Sequence, residues 1–520
     1  MYFNGHLLNI STSKGINILR HNHAALKYFC LYHFYKLLPL TIEVKKILRV
    51  MIAIKKPVFI CKLPIIYSRK NISGISVKTF FIVSFLLVAM QVGAQQQNFK
   101  FDFGTTQAAK GYVAVGSNTV YDKAIGYGFT GNAEVKSVKR SNKKNISSSF
   151  ITGNKPFYFS VKLPEGNYDV KLTLGDIKGI SATTVRTECR RLFLLNASTK
   201  KDEIKTLSFT VHIRDSLIRD SSRQIVSKIK LKSREINYLH WDDLLTIEFN
   251  DSMPKICALE ITPNTTATTI FLAGNSTVVD QDREPWAAWG QMIPAFFKPG
   301  KIAIANYAES GETLKAFKNE RRLEKIWSMA KPGDYIFIEF THNDQKPGSN
   351  YLEAGTTYKQ TLKMWIEEAR KRSMIPVLVT SMHRRNFDSL GHIVNTLAGY
   401  PQAAREVAAE ENIAMIDLNA MSKILYEAWG PEQSVKGFVH YPAHSFPGQN
   451  VELKDNTHFS TYGAYQLAKA VVLGIQKAKL PFATELNTWG INFDPAHPDG
   501  FSNWYWPLSP LMQAIKPDGN

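Results

Sequence analysis

The chain has 520 residues, more than one hydrophobic core usually supports, so two folded domains and a processed segment are expected. With 44% hydrophobic and 21% charged residues, its composition excludes a largely disordered protein. The formal net charge of +20 does not call for a nucleic-acid partner, because the 13 Lys and Arg residues and the single acid of residues 1–94 supply +12 of it.

Residues 1–94 are predicted to be a basic amino-terminal extension that ends in a signal peptide. An apolar run over 80–90 follows Lys78 and precedes Val92-Gly93-Ala94, a small-residue cleavage pattern. The run is shorter than the roughly 20 residues of a membrane span. We therefore expect export to the periplasm or cell exterior, without stable membrane insertion after processing. A start codon assigned too early and a genuine long extension are both open explanations of the upstream residues.

Export would also decide which cysteines remain in the protein. Cys30 and Cys61 lie in the segment expected to be removed, whereas Cys189 and Cys257 stay. Pairing in an oxidising compartment and burial as free thiols are equally compatible with two cysteines.

Residues 95–264 predict an all-β sandwich. Apolar and polar residues alternate over 157–163, a Pro-Glu-Gly-Asn turn interrupts them, and the alternation resumes over 168–174. We interpret the two runs as a hairpin with one buried face. Further strands are expected at 207–213, 244–249 and 256–261.

Residues 265–520 predict an α/β domain, because short apolar strands alternate there with longer helical stretches. This alternation is typical of a parallel sheet covered by helices. The expected strands are 270–272, 302–305, 335–340, 376–380 and 414–418. The expected helices are 321–330, 358–372, 402–411 and 462–478.

Polar residues follow three of these strands, at the edge where open parallel sheets bind ligands. Ser276 follows the first strand on a glycine-containing turn, Gly311 follows the second and Asn343 the third. Asp455 and His458 come near the carboxyl end of the chain. Acyl transfer needs a nucleophile, a base, a group that orients the base and oxyanion donors, and this set contains them all. Each residue alone is more often a turn or cap residue, so the interpretation depends on their order and spacing.

The combination resembles the SGNH, or GDSL-type, hydrolases, and within them the rhamnogalacturonan acetylesterase-like carbohydrate esterases. The resemblance covers roughly residues 268–480. The matching blocks are Gly274-Asn-Ser-Thr277, Asn306-Tyr-Ala-Glu-Ser-Gly311, Thr341-His-Asn-Asp344, Arg384-Arg-Asn-Phe-Asp388 and Asp455-Asn-Thr-His458. The resemblance implies a three-layer flavodoxin-like domain with a parallel sheet, and an esterase that needs no metal or organic cofactor.

The resemblance also implies a role for each residue of the set. Ser276 would attack the ester carbonyl, and His458 would take its proton and return it to the departing sugar hydroxyl. Asp455 would hold the imidazole. The backbone N–H groups of Ser276 and Gly311 and the side-chain amide of Asn343 would form the oxyanion hole.

Two positions depart from the family pattern. Asn275 stands where an acid usually precedes the nucleophile, and Thr341 stands where a glycine usually opens its block. Neither is a member of the triad, so these changes are expected to affect rate and specificity rather than reaction type.

The β-sandwich resembles the galactose-binding-like domains found beside such esterases. The matching phrases are Phe101-Asp-Phe-Gly104 and Gly126-Tyr-Gly-Phe129. Carbohydrate docking and simple structural support of the catalytic domain are both open as its role.

Four residues are predicted to contact substrate. Arg384 and Arg385 follow a strand, where a guanidinium can bind a uronate carboxylate, although structural pairing has equal weight. His342, in the asparagine block, is assigned to substrate contact or to a structural hydrogen bond. His440 precedes the last block and is assigned to the cleft or to loop packing.

Two pairs with helical spacing are interpreted as structural. His440 and His444 have the spacing of a metal pair, but Pro442 between them breaks the helix that this spacing needs, so no metal is expected. Trp286 and Trp289 are expected on one helical face, packed into the core.

The predicted function is removal of acetyl groups from a plant cell-wall polysaccharide, most specifically pectic rhamnogalacturonan. The expected partner is thus an acetylated polysaccharide or oligosaccharide. One alternative is an esterase for another acylated glycan or a short-chain ester. The other is a non-catalytic carbohydrate-binding protein.

Overall fold

The computed structural model describes residues 98–143, 145–510 and 516–517. The predicted extension and signal peptide, with Cys30 and Cys61, lie outside these residues and stay predictions. No helix in the described ranges is long and apolar enough to cross a membrane.

The first part of the described chain is all β, as predicted. The strands are β1 Phe99–Phe103, β2 Val113–Val115, β3 Tyr127–Thr130, β4 Val135–Lys139, β5 Ser149–Gly153, β6 Phe157–Lys162, β7 Gly166–Gly175, β8 Ser181–Thr187, β9 Arg191–Thr199, β10 Ile204–Ile213, β11 Leu217–Arg219, β12 Ile225–Lys228, β13 Leu244–Met253 and β14 Lys255–Pro263. They form two mainly antiparallel sheets, in the orders β10-β7-β14-β1-β2 and β3-β6-β13-β8-β9, with β5 joining β14 and β4 joining β5. A separate ribbon pairs β11 with β12.

The predicted hairpin of β6 and β7 is wrong. β6 pairs with β3 and β13, whereas β7 pairs with β10 and β14, so the two strands lie in different sheets. Their apolar residues, among them Phe159 and Leu172, are buried in one shared core. Alternation indicates one buried face, and strands of two facing sheets share such a face as readily as the strands of a hairpin do.

The second part is α/β, as predicted. The strands are β15 Thr268–Gly274, β16 Ile302–Asn306, β17 Tyr335–Glu339, β18 Ile375–Val379, β19 Ala414–Ile416 and the antiparallel pair β20 Phe438–Tyr441 and β21 Leu453–Phe459. Strands β15 to β19 form an all-parallel sheet in the order β16-β15-β17-β18-β19, which is the flavodoxin-like order. The helices are α1 Trp289–Met292, α2 Leu314–Asn319, α3 Arg322–Met329, α4 Lys359–Lys371, α5 Tyr400–Glu410, α6 Leu418–Gln433 and α7 Thr461–Lys477.

Helices cover both faces of the parallel sheet, which makes three layers. Ile270 and Leu272 of β15 pack in one apolar cluster with α1, α6 and α7. Their neighbours Phe271 and Ala273 pack in a second cluster with α2 to α5. Burial on both faces explains why these strands are continuously apolar rather than alternating.

Candidate active site

Ser276 lies in a tight turn just beyond the carboxyl end of β15. The carbonyl of Asn275 accepts the N–H groups of Val278 and Val279, each at 3.0 Å. Because the C=O and N–H of a trans peptide point in opposite directions, this arrangement aims the N–H of Ser276 out of the turn. Gln281 donates to the carbonyl of Ser276 at 3.0 Å. The local chain therefore fixes the peptide groups on both sides of the serine.

Asn275, one of the two departures from the family pattern, closes this turn. Its Oδ1 accepts the N–H of Thr277 at 3.1 Å and the Thr277 hydroxyl at 2.9 Å. The same hydroxyl lies 3.0 Å from Oε1 of Glu339, at the carboxyl end of β17. Glu339 also accepts from Nε1 of Trp289 at 2.7 Å and from the hydroxyl of Ser381 at 3.2 Å. A buried carboxyl group thus lies under the nucleophile turn, where the sequence indicated only a strand residue.

The surroundings of Glu339 favour its neutral form. Burial raises the pKa of this carboxyl to about 7, although its hydrogen bonds oppose the shift. The Thr277 hydroxyl has one hydrogen and cannot donate to both Asn275 and Glu339. A protonated Glu339 that donates to Thr277, while Thr277 donates to Asn275, gives each of these two oxygen–oxygen contacts one hydrogen.

We expect Glu339→Gln to remove part of the pH dependence of stability. The pKa of Glu339 is about 7 in the folded protein, against an ordinary value of 4.5. Its contribution to the free energy of unfolding is therefore full below pH 4.5 and is lost as the pH rises through 7, an effect on the order of 3 kcal/mol. Urea unfolding across this pH range measures it, with Glu367→Gln on the exposed face of α4 as the matched control. If the free energy of unfolding changed equally with pH in wild type and Glu339→Gln, the raised pKa of Glu339 would be contradicted.

Asp455 and His458 form a buried pair on β21. Nδ1 of His458 lies 2.7 Å from Oδ2 of Asp455, and the two side chains are 1% and 3% exposed. Oδ1 of Asp455 accepts the N–H groups of Thr457 at 2.8 Å and His458 at 3.0 Å. Burial raises the pKa of Asp455, but the bonds to His458 outweigh it and hold the pKa at about 2. An ionised carboxylate therefore fixes the Nδ1 edge of the imidazole.

Backbone hydrogen bonds tie this strand to the nucleophile turn. The N–H of Ala287 donates to the carbonyl of Phe459 at 3.0 Å, one residue beyond His458. The N–H of Trp289 donates to the carbonyl of Thr277 at 3.3 Å, one residue beyond the nucleophile position. Residues 277–289 thus connect the two parts of the predicted triad.

The prediction for the tryptophan pair is correct in that both side chains are buried among apolar residues, but wrong about a shared helical face. Trp289 opens α1 and packs in the core. Trp286 lies before the helix, and its ring meets the His458 ring edge to face, with centroids 5.7 Å apart. The two rings therefore do not share a helical face, and Trp286 instead packs against the imidazole.

Gly311 and Asn343 lie on neighbouring loops of the same sheet edge. Gly311 has φ +81°, a conformation that favours glycine. Nδ2 of Asn343 donates to the carbonyl of Glu312 at 3.1 Å, which uses one of its two amide hydrogens. Thr341, the second departure from the family pattern, donates its hydroxyl to the carbonyl of Phe340 and is 1% exposed. Its hydroxyl is thus bound to the backbone within the buried interior.

Arg384 and His342 differ in what they offer a ligand. Arg384 is partly exposed, and its guanidinium donates to uncharged oxygens, the carbonyl of His342 at 3.3 Å and the hydroxyl of Thr396 at 3.3 Å. His342 is 1% exposed, and its Nε2 lies 3.1 Å from the carbonyl of Met382. Burial holds the pKa of His342 well below its usual range. The ring is therefore a neutral structural group, whereas Arg384 keeps a surface for substrate.

Arg385 and His440 both bind Asn456, within the last block. Arg385 donates to Oδ1 of Asn456 at 3.3 Å, to the hydroxyl of Ser434 at 2.9 Å and to the carbonyl of Pro431. Nε2 of His440 lies 2.8 Å from the same Oδ1. These contacts favour the structural alternative for both residues, because they hold the loop beside Asp455.

The all-β part is bonded directly to the loop that follows the nucleophile. In the turn between β8 and β9, Arg190 pairs with Glu284 at 2.6 Å and donates to the carbonyl of Trp286 at 2.9 Å. Arg191 pairs with Asp280 at 3.0 Å. All four charged side chains of these pairs are buried. The contacts favour structural support as a role of this part of the chain.

The sequence left the state of the two remaining cysteines open. Cys189 and Cys257 are both buried free thiols, so the pairing alternative is wrong. Within the described ranges, no group of three or more His, Cys, Asp or Glu side chains is placed to hold a metal ion.

The chain matches two known families. Residues 99–211 match the Beta-agarase/YXIM esterase-like, galactose-binding domain-like family, and residues 272–463 match the GDSL-like Lipase/Acylhydrolase family. Rhamnogalacturonan acetylesterase RhgT of Bacillus subtilis (strain 168) is 41% identical over 219 residues, which are 42% of this chain and 93% of that protein. The uncharacterized esterase YxiM of the same strain is 27% identical over 350 residues, 66% of this chain and 84% of that protein.

A crystal structure of the YxiM protein from Bacillus subtilis is also similar. It has a TM-score of 0.39 and 24% identity, and the match covers 74% of this chain and 99% of that chain. The extent and identity of the match to RhgT carry the family assignment. This chain belongs to the SGNH, or GDSL-type, hydrolases, in the group that contains the rhamnogalacturonan acetylesterases, and it is a carboxylic ester hydrolase.

Proposed function

We propose that this enzyme is a carbohydrate acetylesterase that releases acetate from pectic polysaccharide, with acetylated rhamnogalacturonan as its substrate. The observation that carries the proposal is the buried Asp455–His458 pair, joined at 2.7 Å on a strand tied to the Ser276 turn. The relative that is 41% identical is named a rhamnogalacturonan acetylesterase, which supports the substrate class. The pattern over residues 78–94 supports export, where such a polymer is accessible.

The chemistry follows the usual division of roles in acyl transfer. Oγ of Ser276 attacks the acetyl carbonyl while Nε2 of His458 takes its proton. Asp455 accepts Nδ1–H of the imidazole and stabilises the imidazolium that forms. When the tetrahedral intermediate collapses, Nε2 returns the proton to the departing sugar oxygen, and an acetylated serine remains. Water, deprotonated by the same imidazole, then releases acetate and restores the serine.

Three donors would stabilise the oxyanion of the tetrahedral intermediate. The N–H of Ser276 is aimed out of its turn by the bonds to the preceding carbonyl. Gly311 supplies a second backbone N–H, and Asn343 supplies the amide hydrogen that Glu312 does not use. Donors fixed before the reaction begins cost no reorganisation when charge develops, which is why such groups contribute strongly to rate.

A cluster of cations beside the Asp455–His458 pair supports a uronate-containing polymer. Nζ of Lys516 lies 3.7 Å from Oδ2 of Asp455. Burial lowers the pKa of Lys346, and the positive charges of Arg384 and Lys516 lower it further, so the three cations lie near one another. A substrate carboxylate would be attracted to these positive charges, and rhamnogalacturonan carries one on every galacturonate. The sequence indicated Arg384 but not Lys346 or Lys516.

We expect Arg384→Gln to weaken turnover of acetylated rhamnogalacturonan selectively. Loss of one charge-assisted hydrogen bond costs about 1.5 to 3 kcal/mol, so kcat/KM should fall about tenfold to hundredfold. Acetylated xylan without glucuronate branches and 4-nitrophenyl acetate, which lack the carboxylate, should be hydrolysed as by wild type. Acetate release from the three esters measures this, with Arg370→Gln on the exposed face of α4 as the matched control.

Two outcomes of this comparison would count against the proposal. Equal losses on rhamnogalacturonan and xylan would show that Arg384 does not recognise a uronate. Release of acetate by wild type from xylan, with none from rhamnogalacturonan, would replace the pectic substrate with another acylated glycan.

A further inference from the structure

The peptide group between Ser310 and Gly311 is bound by two cations from the all-β part of the chain. Nζ of Lys232 and Nη2 of Arg234 each donate to the carbonyl of Ser310 at 2.7 Å. Both residues lie between β12 and β13, about 80 positions before the peptide that they contact. The family match of the all-β part ends at residue 211, ahead of this segment.

These two bonds determine where the N–H of Gly311 points. The N–H and C=O of a trans peptide point in opposite directions. With the carbonyl of Ser310 held by two side chains on one side, the N–H of Gly311 is directed to the other side. The positive φ of Gly311, +81°, is the local conformation that allows this orientation.

The same contacts also polarise the peptide. A positive charge at a carbonyl oxygen draws electron density towards that oxygen and makes the N–H of the same peptide a stronger donor. Two cations at one carbonyl add their effects. The neighbouring donor is the N–H of Ser276, and the carbonyl of its peptide, that of Asn275, accepts the neutral backbone N–H groups of Val278 and Val279.

Buried acids hold both cations in position. Arg234 donates to Oε1 of Glu309 at 2.8 Å, and Lys232 pairs with Glu312. One of these acids precedes Gly311 in the sequence and the other follows it, so each cation is bound to the loop on a different side of this glycine. Glu309 and Glu312 are 1% and 0% exposed. Burial raises the pKa of both acids, and the adjacent cations oppose that shift.

A second contact fixes the segment that carries the cations. The N–H of Lys232 donates to Glu235 at 2.8 Å, and Glu235 pairs with Arg322 of α3. Nε1 of Trp241 donates to the same acid at 3.1 Å. The segment is thus attached to the α/β domain independently of Ser310, and it presents Lys232 and Arg234 as a fixed pair.

We propose that Lys232 and Arg234 are positioning residues that aim and strengthen the N–H of Gly311 as an oxyanion donor. The inference rests on the proposed function, in which this N–H receives the oxyanion. In this role the two cations act through one peptide group, and the all-β part of the chain thereby contributes to the rate of the chemical step.

The expected effect is on kcat rather than KM. Removing an oxyanion donor costs about a hundredfold to a thousandfold, so weakening one should cost less, about tenfold for each of Lys232→Met and Arg234→Met. KM for 4-nitrophenyl acetate should stay unchanged, because the ground-state ester carries no oxyanion. Lys232→Arg and Arg234→Lys keep the charge and should recover most of the lost kcat. Lys230→Met, an exposed lysine two positions away, is the matched control.

The affinity of the enzyme for a boronic acid distinguishes this positioning role from a purely structural one. Phenylboronic acid forms an anionic tetrahedral adduct on a serine nucleophile, so its affinity should fall by the same factor as kcat. Titration of active sites with an organophosphonate corrects each kcat for any unfolded fraction. Unchanged kcat per titrated site and unchanged boronate affinity in both Met variants would overturn the inference. Failure of wild type to hydrolyse any acetate ester would instead overturn the proposed function.

Discussion

Replacement of Ser276 with alanine is expected to lower kcat for acetate release by at least about 10⁴-fold. The variant lacks the oxygen that would carry the acetyl group, while the oxyanion donors and the Asp455–His458 pair stay in place. Ser276 is 2% exposed and its turn is held by backbone bonds of the neighbouring residues, so loss of one hydroxyl should leave the fold intact. Initial rates on acetylated rhamnogalacturonan and on 4-nitrophenyl acetate measure the loss.

The matched control is Ser389→Ala, in an exposed loop. It removes the same group from an exposed serine and should retain wild-type kcat. Mass spectrometry of the wild type trapped with an organophosphonate adds a direct readout, because the adduct should appear on Ser276 and be absent from Ser276→Ala. Wild-type turnover by Ser276→Ala would remove this residue from the mechanism.

Replacement of Asp455 with asparagine is expected to lower kcat on the order of 10⁴-fold. The asparagine Oδ1 can still accept the N–H groups of Thr457 and His458, now at 2.8 and 3.0 Å, so the loop should keep its shape. Its amide would, however, donate to Nδ1 of His458, where the carboxylate accepts. The imidazole would then carry its hydrogen on Nε2, where it cannot take a proton from Ser276.

The chain supplies a closely matched control for this variant. Asp494 and His497 have the same spacing and the same 2.7 Å distance between Nδ1 and Oδ2, but their side chains are 58% and 84% exposed. Asp494→Asn should therefore leave kcat unchanged. A similar loss of kcat in Asp455→Asn and Asp494→Asn would mean that the effect of the first is not specific to the active site.

These two pairs also show how far sequence reasoning reaches. Asp-x-x-His occurs at both places, and a three-residue spacing brings the side chains together in each case. The spacing therefore predicts the hydrogen bond. It does not predict burial, which depends on β21 lying beside the nucleophile turn.

Local sequence patterns predicted the strands and helices better than they predicted which strands pair. The five parallel strands and the helices α3, α4, α5 and α7 follow from apolar runs and periodicity, because both faces of the sheet are covered. The strands that pair with β6 could not be predicted in this way, because a strand has one buried face both in a hairpin and in two facing sheets. Trp286 was likewise misplaced by its helical spacing, since α1 begins only at Trp289.

Sequence alone predicted the strands in chain order and the residues at their carboxyl ends, because these are local features of the chain, and the reaction class followed from a family resemblance carried by those residues. The tertiary structure decided what surrounds those residues. Glu339 lies under the nucleophile turn, Lys516 lies beside Asp455, and Lys232 and Arg234 hold the carbonyl of Ser310. Such contacts join residues about 60 to 80 positions apart, and only the packing of one element on another brings these charges together.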